Sequence, residues 1–432
     1  MALTAHQEEN AHLFIDLVKA GHKRILIKGS AGTGKTFMTQ YLIYVLKTEL
    51  YQYGAVYVTA PTHKALSVLK TKIEAKNYIT FRTIHSAHQL TQKIDFKTGK
   101  RSFVQAKENP LNPRFKAAQV VFVDEASMVE ADIIKYNDEY PNILFVYIGD
   151  HKQLPPVGEK KSKVFTSSYP EVWLQEIVRQ GVGSPIIELS NNLSLIKTKR
   201  DVVNEIGGYV FENDRNYIIK KLAEVNGTDD IKYLSWTNND VNAMNNDVRR
   251  AIYGIPRKVE LGESLIFTAP YFDYKNNQEI KVETLESIDG NLIIPTEKTK
   301  FFTDERHRVH VRHEEGTFDS KPIKLYMVNN EIQILHEQEE PFFNLKVKEL
   351  KQKCKNGEIS WTAYYWFIER FAQFTYNHAL TVHKSQGSTF KTAIVNVANI
   401  EMNRRKNPEE TESMLYTAVT RASKTVVLYN VR

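Results

Sequence analysis

Gly29-Ser30-Ala31-Gly32-Thr33-Gly34-Lys35-Thr36 fits the G-x-x-x-x-G-K-[ST] phosphate loop, and its flanks suit one. Arg24-Ile-Leu-Ile-Lys28 before it reads as a short buried strand. Phe37-Met-Thr-Gln-Tyr-Leu-Ile-Tyr-Val-Leu46 after it reads as a helix with apolar residues at three-to-four spacing. A phosphate would then sit on a helix N-terminus, where the glycines let consecutive backbone N–H groups turn toward the anion. Lys35 can reach the β- and γ-phosphates of a nucleotide, and the Thr36 hydroxyl can ligate Mg²⁺. The motif leaves open which nucleotide-driven task is served.

The chain has 432 residues, more than one hydrophobic core usually supports, so two to four domains of ~100–200 residues are expected. Its hydrophobic content of 42% is ample for such cores. Lys and Arg number 58 against 51 Asp and Glu, a net charge of +7 that permits a polyanionic partner without requiring one. The single cysteine, Cys354, excludes an intramolecular disulfide and a cysteine-based zinc cluster, and suits a reducing, cytoplasmic compartment. Met1 to Asn10 lacks a basic segment followed by an apolar one, and no apolar run approaches the ~20 residues of a membrane span. A soluble protein that is not exported and has no membrane partner is expected.

From Ala5 to Ala20, Leu13, Phe14, Leu17 and Val18 share a helical face, with Gly21 as a C-cap. Continuously apolar strands are predicted at Ala55–Thr59, Gln119–Val123 and Asn142–Ile148, as in a parallel sheet covered on both faces. Within this doubly wound α/β lobe, Thr91–Phe96 and Arg101–Gln105 flank Lys97-Thr-Gly-Lys100 and read as an inserted β-hairpin. A second α/β set follows residue 168, with strands at Ile231–Trp236, Ala393–Val397 and Thr425–Tyr429. Between them, Gly262 to His336 alternates short β-like segments with turn residues and suggests a small antiparallel barrel. Residues 343–374 read as mainly helical, with aromatics Trp361, Tyr364, Tyr365, Trp366 and Phe367 that either pack the insert or meet nucleic acid.

Val120-Val-Phe-Val-Asp124-Glu125-Ala-Ser places two acids at the end of a buried strand, the ligand-binding edge of such a sheet. Asp124 suits Mg²⁺, and Glu125 suits activation of the water that attacks the γ-phosphate. After the next strand, Gln153 in Gly149-Asp-His-Lys-Gln153 could sense that phosphate with an amide that both donates and accepts. Charge developing on the phosphoryl oxygens calls for an arginine, and Arg179 and Arg421 in the second α/β region are the candidates.

In this order the motifs resemble those of superfamily 1 DNA helicases of group B, on the Dda and RecD-like branch, over nearly the whole chain. Leu3-Thr-Ala-His-Gln7 resembles the Q motif, residues 29–36 motif I, Ala60-Pro-Thr-His-Lys-Ala65 motif Ia, and Thr83-Ile-His-Ser86 motif Ib. Asp124-Glu125-Ala-Ser resembles motif II, and Gly149 to Pro156 motif III. Motif IV ends at Arg179, and Trp236-Thr-Asn238 resembles motif IVa. Thr381 to Ser388 resembles motif V, and Tyr416-Thr-Ala-Val-Thr-Arg421 motif VI.

The resemblance implies an α/β fold of two RecA-like P-loop NTPase lobes with ATP between them. A hairpin "pin" would be inserted in lobe 1, and an SH3-like β-barrel plus helical insert in lobe 2. The expected division is 1–87 with 117–167 for lobe 1, 88–116 for the pin, 168–260 with 375–432 for lobe 2, and 261–374 for its insert. Gln7 would read adenine, Arg179 and Arg421 would reach the γ-phosphate, and Gln386 would lie at the lobe interface beside the nucleotide. Single-stranded DNA would meet Pro61, Thr62, His63, Thr83 and His85 on lobe 1, and Asn238, Thr381, His383 and Ser388 on lobe 2. Small hydroxyl and histidine side chains suit contacts that do not read sequence. Phe103 would be the pin's stacking aromatic, with Phe96 second.

The implied activity is ATP- and Mg²⁺-dependent unwinding of fork DNA by a monomer moving 5′ to 3′, with replication or recombination proteins as candidate partners. Polarity rests on the resemblance alone. A nucleic-acid-binding switch or translocase that separates no strands would look alike in sequence. A P-loop kinase or GTPase is disfavoured, because motifs V and VI occupy a second lobe and no N-K-x-D is apparent.

Overall fold

The computed structural model describes residues 3–50, 54–106, 114–178, 183–226, 230–256, 260, 263, 265–268, 271–273, 278–280, 292–293, 309–313, 316–320, 322–327, 330–335, 340–369, 371 and 373–431. Two six-stranded sheets organise it. The first contains β1 (Arg24–Gly29), β2 (Ala55–Ala60) and β3 (Ile79–Thr83). After the hairpin strands β4 (Leu90–Ile94) and β5 (Arg101–Gln105), it continues with β6 (Ala118–Val123), β7 (Leu144–Gly149) and β8 (Glu171–Leu174). The order is β3-β2-β6-β7-β1-β8, every pairing parallel. Residues of β7 are buried throughout, which is why the central strands read as unbroken apolar runs.

Helices α1 (Ala5–Lys19), α2 (Lys35–Thr48), α3 (His63–Lys72), the single turn α4 (Ile84–Ala87) and α5 (Ala131–Asp138) belong to this lobe. Phe14, Leu42 and Leu46 on the first two helices join Ile25, Ile27, Val58 and Val146 of the sheet in one core. Each such side chain contributes ~1.5–3 kcal/mol when fully buried. The expected apolar face of α1 is narrower than its sequence suggests: Phe14 and Val18 are buried, while Leu13 is exposed. A capping box starts this helix, Thr4 accepting from the Gln7 N–H and Gln7 from the Thr4 N–H.

The second sheet comprises β9 (Val202–Val203), β10 (Gly208–Glu212), β11 (Ile231–Ser235) and three later strands. Around it pack α6 (Pro185–Asn191), α7 (Arg215–Val225) and α8 (Asn238–Tyr253). The insert follows with β12 (Leu265–Phe267), β13 (Tyr271–Asp273), β14 (Gln278–Ile280), β15 (Leu292–Ile293), β16 (Val309–His313), β17 (Gly316–Ser320), β18 (Pro322–Met327) and β19 (Asn330–Leu335). Helices α9 (Glu340–Lys355) and α10 (Trp361–Ile368) precede β20 (Phe374–Tyr376). Completing the lobe are β21 (Ala379–Thr381), β22 (Phe390–Asn396), α11 (Val397–Glu401), α12 (Pro408–Val419) and β23 (Ala422–Tyr429). Sheet order is β21-β11-β22-β23-β10-β9, parallel except for the edge strand β9.

All strand pairs of the insert are antiparallel, and among the described residues they form separate two- and three-stranded sheets. Strands β12 and β20 pair where the chain leaves and re-enters the lobe. Beside them lies a buried polar joint. Arg249 of α8 bonds Glu263, with its Nη2 3.0 Å from Oε2, and its guanidinium lies 3.8 Å over the Tyr376 ring.

Candidate functional site

Strand β1 ends at the phosphate loop, and the N-cap of α2 is Gly34, whose φ of 79° is left-handed. No side chain caps α2, so its first N–H groups face outward as an anion site. The Lys35 ammonium lies across the loop, donating to the carbonyls of Gly29 at 2.8 Å and Ser30 at 2.9 Å. A cavity of about 300 Å³ opens here, lined by Lys35, Thr36, Asp124, Glu125 and Gln153 from the first lobe and by Ser388 and Arg421 from the second.

Asp124 follows β6, and its N–H is held by the Thr59 carbonyl at 2.9 Å. Burial, reinforced by the charge of Glu125, pushes its carboxyl up to about 7. Glu125 itself has φ 51° and ψ 45°, a left-handed conformation that costs a non-glycine residue ~1–3 kcal/mol. In this conformation the two neighbouring acids of one strand end line the same cavity. Gln153 is buried, and its Oε1 has no hydrogen-bond partner among the described residues. A buried amide oxygen without a partner beside a phosphate loop is the pattern of a group whose partner is a ligand or water.

Arg421 follows α12 and is buried, its guanidinium folded onto its own lobe through the carbonyls of Thr417 and Ser388, both at 3.2 Å. Arg179, its expected companion, lies outside the described residues. Ser388, expected among the DNA contacts, is buried, its Oγ has no hydrogen-bond partner among the described residues, and it lines the same cavity as Lys35. The tight turn at Gly387, φ 73°, carries it inward. Gln386 donates to the Leu154 carbonyl at 3.1 Å, so its amide joins the lobes. Gln7 spends its amide locally, accepting from Thr4 at 3.2 Å and donating to the Thr33 carbonyl at 3.4 Å; it braces the loop from behind.

The remaining candidates gather at a different part of each sheet. Pro61 and Thr62 follow β2, Thr83 ends β3 with His85 beyond it, Asn238 follows β11, and Thr381 ends β21 with His383 beyond it. These are the first two strands in the spatial order of each sheet, whereas Asp124, Gln153 and Lys35 follow β6, β7 and β1. Thr62 and Thr83 use their hydroxyls as N-caps of α3 and α4, and Thr237 caps α8, which places Asn238 at an exposed first helical position. His63 begins α3. Thr381 is buried and its Oγ1 accepts from the Lys384 N–H at 3.3 Å. His383 lies 3.7 Å from the Glu410 carboxylate; burial lowers its pKa and the acid opposes that shift.

The hairpin pairs Leu90 with Gln105 through Ile94 with Arg101. Its loop is closed by the Asp95 carboxylate, which accepts from the N–H groups of Lys97 at 3.0 Å and Thr98 at 2.7 Å. Phe96 stands on this loop, 83% exposed, and Phe103 on the return strand is 55% exposed with its ring edge-to-face on His85 at 5.4 Å. The root is a buried network. His88 bonds Asn137 at 2.7 Å and Gln105 at 3.3 Å, and Asn137 donates to the Tyr147 hydroxyl at 2.9 Å. The tip rests on the insert of the other lobe: Tyr365 donates to the Gly99 carbonyl at 2.7 Å, the Arg101 guanidinium lies 3.4 Å over the Tyr365 ring, and Arg101 pairs with Glu369. Ile94 packs against the cluster of Leu350, Cys354, Trp361, Tyr364 and Phe367. Trp361, Tyr364, Tyr365 and Phe367 thus pack the insert, with the hairpin as their partner.

Asp150, Leu154, Tyr416 and Thr417, all passed over by sequence reasoning, join the two lobes. Asp150 and Leu154 lie inside the motif III stretch and Tyr416 begins motif VI, but their pairing needed coordinates.

The fold and site define a P-loop nucleoside triphosphatase with its cavity between two parallel-sheet lobes. An AAA domain model matches residues 16–159, and a UvrD-like helicase C-terminal domain model matches residues 376–429. An uncharacterized protein of Acanthamoeba polyphaga mimivirus is 26% identical over 96% of this chain and 97% of its own length. The ATP-dependent DNA helicase Dda of Enterobacteria phage T4 is 25% identical over 97% of both chains. A Pif1 helicase of Campylobacter jejuni is 25% identical over 93% of this chain and 87% of its own. The solved structure of Bacteroides Pif1 with ADP-AlF3 and single-stranded DNA has 16% identity and a TM-score of 0.47, over 99% of this chain and 92% of that one. These matches support the resemblance to superfamily 1 helicases of the Dda and RecD-like branch.

Proposed function

We propose that this protein is an ATP-dependent DNA helicase that moves along single-stranded DNA, 5′ to 3′, and separates the duplex ahead of it with the hairpin at residues 88–116. The observation that carries the reading is the split cavity: Lys35, Asp124, Glu125 and Gln153 come from one lobe and Arg421 from the other. A triphosphate bridging them would favour the closed arrangement over the open one, and only such a difference in affinity converts binding into lobe motion. Glu125 is the base that orients and deprotonates the attacking water, Lys35 and Arg421 neutralise charge developing on the phosphoryl oxygens, and Gln153 reports the γ-phosphate. Arg179 is assigned the same task as Arg421.

Thr36 and Asp124 are the residues that would hold Mg²⁺. The fit rests on Asp124, a buried carboxyl beside a second acid and held up near 7 by both, which a divalent cation would return to its ionised form. Bound there, the metal supplies Lewis-acid charge neutralisation at the phosphates.

Single-stranded DNA is assigned to the helix starts after β2, β3, β11 and β21, where Pro61, Thr62, His63, Thr83, His85, Asn238, Thr381 and His383 lie. Small hydroxyl and histidine side chains there suit backbone contacts that do not read bases. The division into lobes 1–87 with 117–167 and 168–260 with 375–432, a pin and an insert at 261–374, and action as a monomer in the cytoplasm with replication or recombination proteins, belong to the same proposal. Forked substrates test it. A 5′-tailed fork should be unwound with ATP and a 3′-tailed fork should not. Release from the 3′-tailed fork alone would reverse the polarity, and DNA-stimulated hydrolysis without release from either would leave a translocase or switch.

A further inference from the structure

The helix α12 approaches the phosphate loop through Tyr416, a buried residue of the second lobe. Its hydroxyl donates to Asp150 Oδ2 at 2.6 Å and accepts from the Ala31 N–H at 3.3 Å, so one oxygen atom touches both the motif after β7 and the loop after β1. Asp150 is fully buried. Its Oδ1 accepts from the Lys152 N–H at 3.1 Å and its carbonyl from the Gln153 N–H at 3.2 Å, which makes carboxylate and Gln153 parts of one turn. The next residue along α12, Thr417, accepts from the Leu154 N–H at 3.3 Å, and Gln386 donates to the Leu154 carbonyl. Residues 150–154 are therefore gripped from the second lobe at several points, and the contact of Tyr416 extends to the phosphate loop.

We infer that the Tyr416 hydroxyl is a positioning group, coupling occupancy of the phosphate loop to the placement of Asp150 and Gln153. The inference rests on the nucleotide reading above. A phosphate oxygen is a charged acceptor and outcompetes a neutral phenol for the Ala31 N–H. Tyr416 then loses its loop contact and keeps its bond to Asp150, so arrival of phosphate on one lobe changes a contact made by the other. The hydroxyl acts through the turn that carries Gln153 and takes no part in bond making.

Tyr416→Phe removes the hydroxyl's bonds to Asp150 and to the phosphate loop with almost no change of shape. DNA-stimulated hydrolysis should lose tenfold or more in kcat, while the Kd for ADP stays within threefold, because the loop amides and Lys35 all remain in place to bind phosphate. Asp150→Ala should lose a similar factor, and the double variant should be no worse than the poorer single one. In the wild-type protein, ADP with Mg²⁺ should alter amide exchange at residues 150–154, a readout that needs no variant to fold. Unchanged kcat in Tyr416→Phe, additive losses in the double variant, or unaltered exchange at 150–154 would each overturn the inference. Absence of hydrolysis in the wild-type protein would overturn the nucleotide reading itself, and this coupling with it.

Discussion

The indole of Trp361 fills the space beside Gly99 that any side chain at that position would need. Gly99 also has φ 68°, and its carbonyl accepts from Tyr365, so the hairpin tip is seated on α10 at a point that admits only glycine. Gly99→Ala should displace the tip from this seat at a cost of ~1–3 kcal/mol in strain and overpacking. Strand separation on a fork should fall tenfold or more while hydrolysis stimulated by single-stranded DNA stays within threefold. Equal losses in the two assays would show that the seat does not serve unwinding.

Phe103→Ala removes the exposed ring that stands edge-to-face on His85, a contact worth ~0.5–1.5 kcal/mol beyond area burial. It should slow strand separation several-fold more than it slows DNA-stimulated hydrolysis. Phe96→Ala, at the more exposed loop position, provides the comparison: a larger effect there would move the wedge from the return strand to the loop.

Lys35→Ala should reduce hydrolysis by a hundredfold or more, and Glu125→Gln should do so while leaving ATP binding within a few-fold of wild type. Glutamine retains the shape of Glu125 in its left-handed backbone and removes only the base. Equilibrium binding of a fluorescent ATP analogue separates the two variants. Loss of binding in Glu125→Gln would recast that residue as structural.

Asp124 titrates about three units above an ordinary carboxylate, near 7, because burial and Glu125 disfavour its charge. The folded form therefore holds a proton that the unfolded chain releases near ~4, and this group weakens folding as pH rises from there through 7. A bound cation reverses the sign by needing the ionised form. The rise in melting temperature given by Mg²⁺ should accordingly grow from pH 5.5 to pH 8; a rise independent of pH would separate Asp124 from the metal.

Two buried histidines supply an opposite dependence. Burial lowers His88 and His378 to about 4, so both are neutral in the fold while the unfolded chain protonates below ~6.5. Stability should fall from pH 6.5 toward 4 at up to ~1.4 kcal/mol per pH unit for each. Urea unfolding at pH 7 and 5 should show a shallower slope in a His88→Gln, His378→Gln double variant than in the wild type.

Legibility in the sequence tracked locality. Strands β1, β2, β6 and β7 were readable because a strand buried on both faces must be apolar along its whole length. Strand β3 and edge strand β8 were not, since partial exposure breaks that pattern. Gln7 was legible as the glutamine of a motif and illegible as a capping residue, because both readings put an amide at the same position. Phe103 could be picked out as an aromatic of a hairpin, but its rest on His85 depends on where β3 ends.

By itself the sequence determined the phosphate loop, the two acids after β6, the hairpin and the existence of a second α/β lobe, because each is encoded within a run of neighbouring residues. Tertiary structure decided everything that depends on strand order. It turned Ser388 toward the nucleotide cavity, set the expected DNA contacts after the first two strands of each sheet, seated the hairpin on α10, and brought the Tyr416 hydroxyl onto Asp150 and Ala31. These pairings join residues hundreds of positions apart. Hydrogen bonds and packing act over a few ångströms whatever the distance along the chain, so only the folded path reveals them.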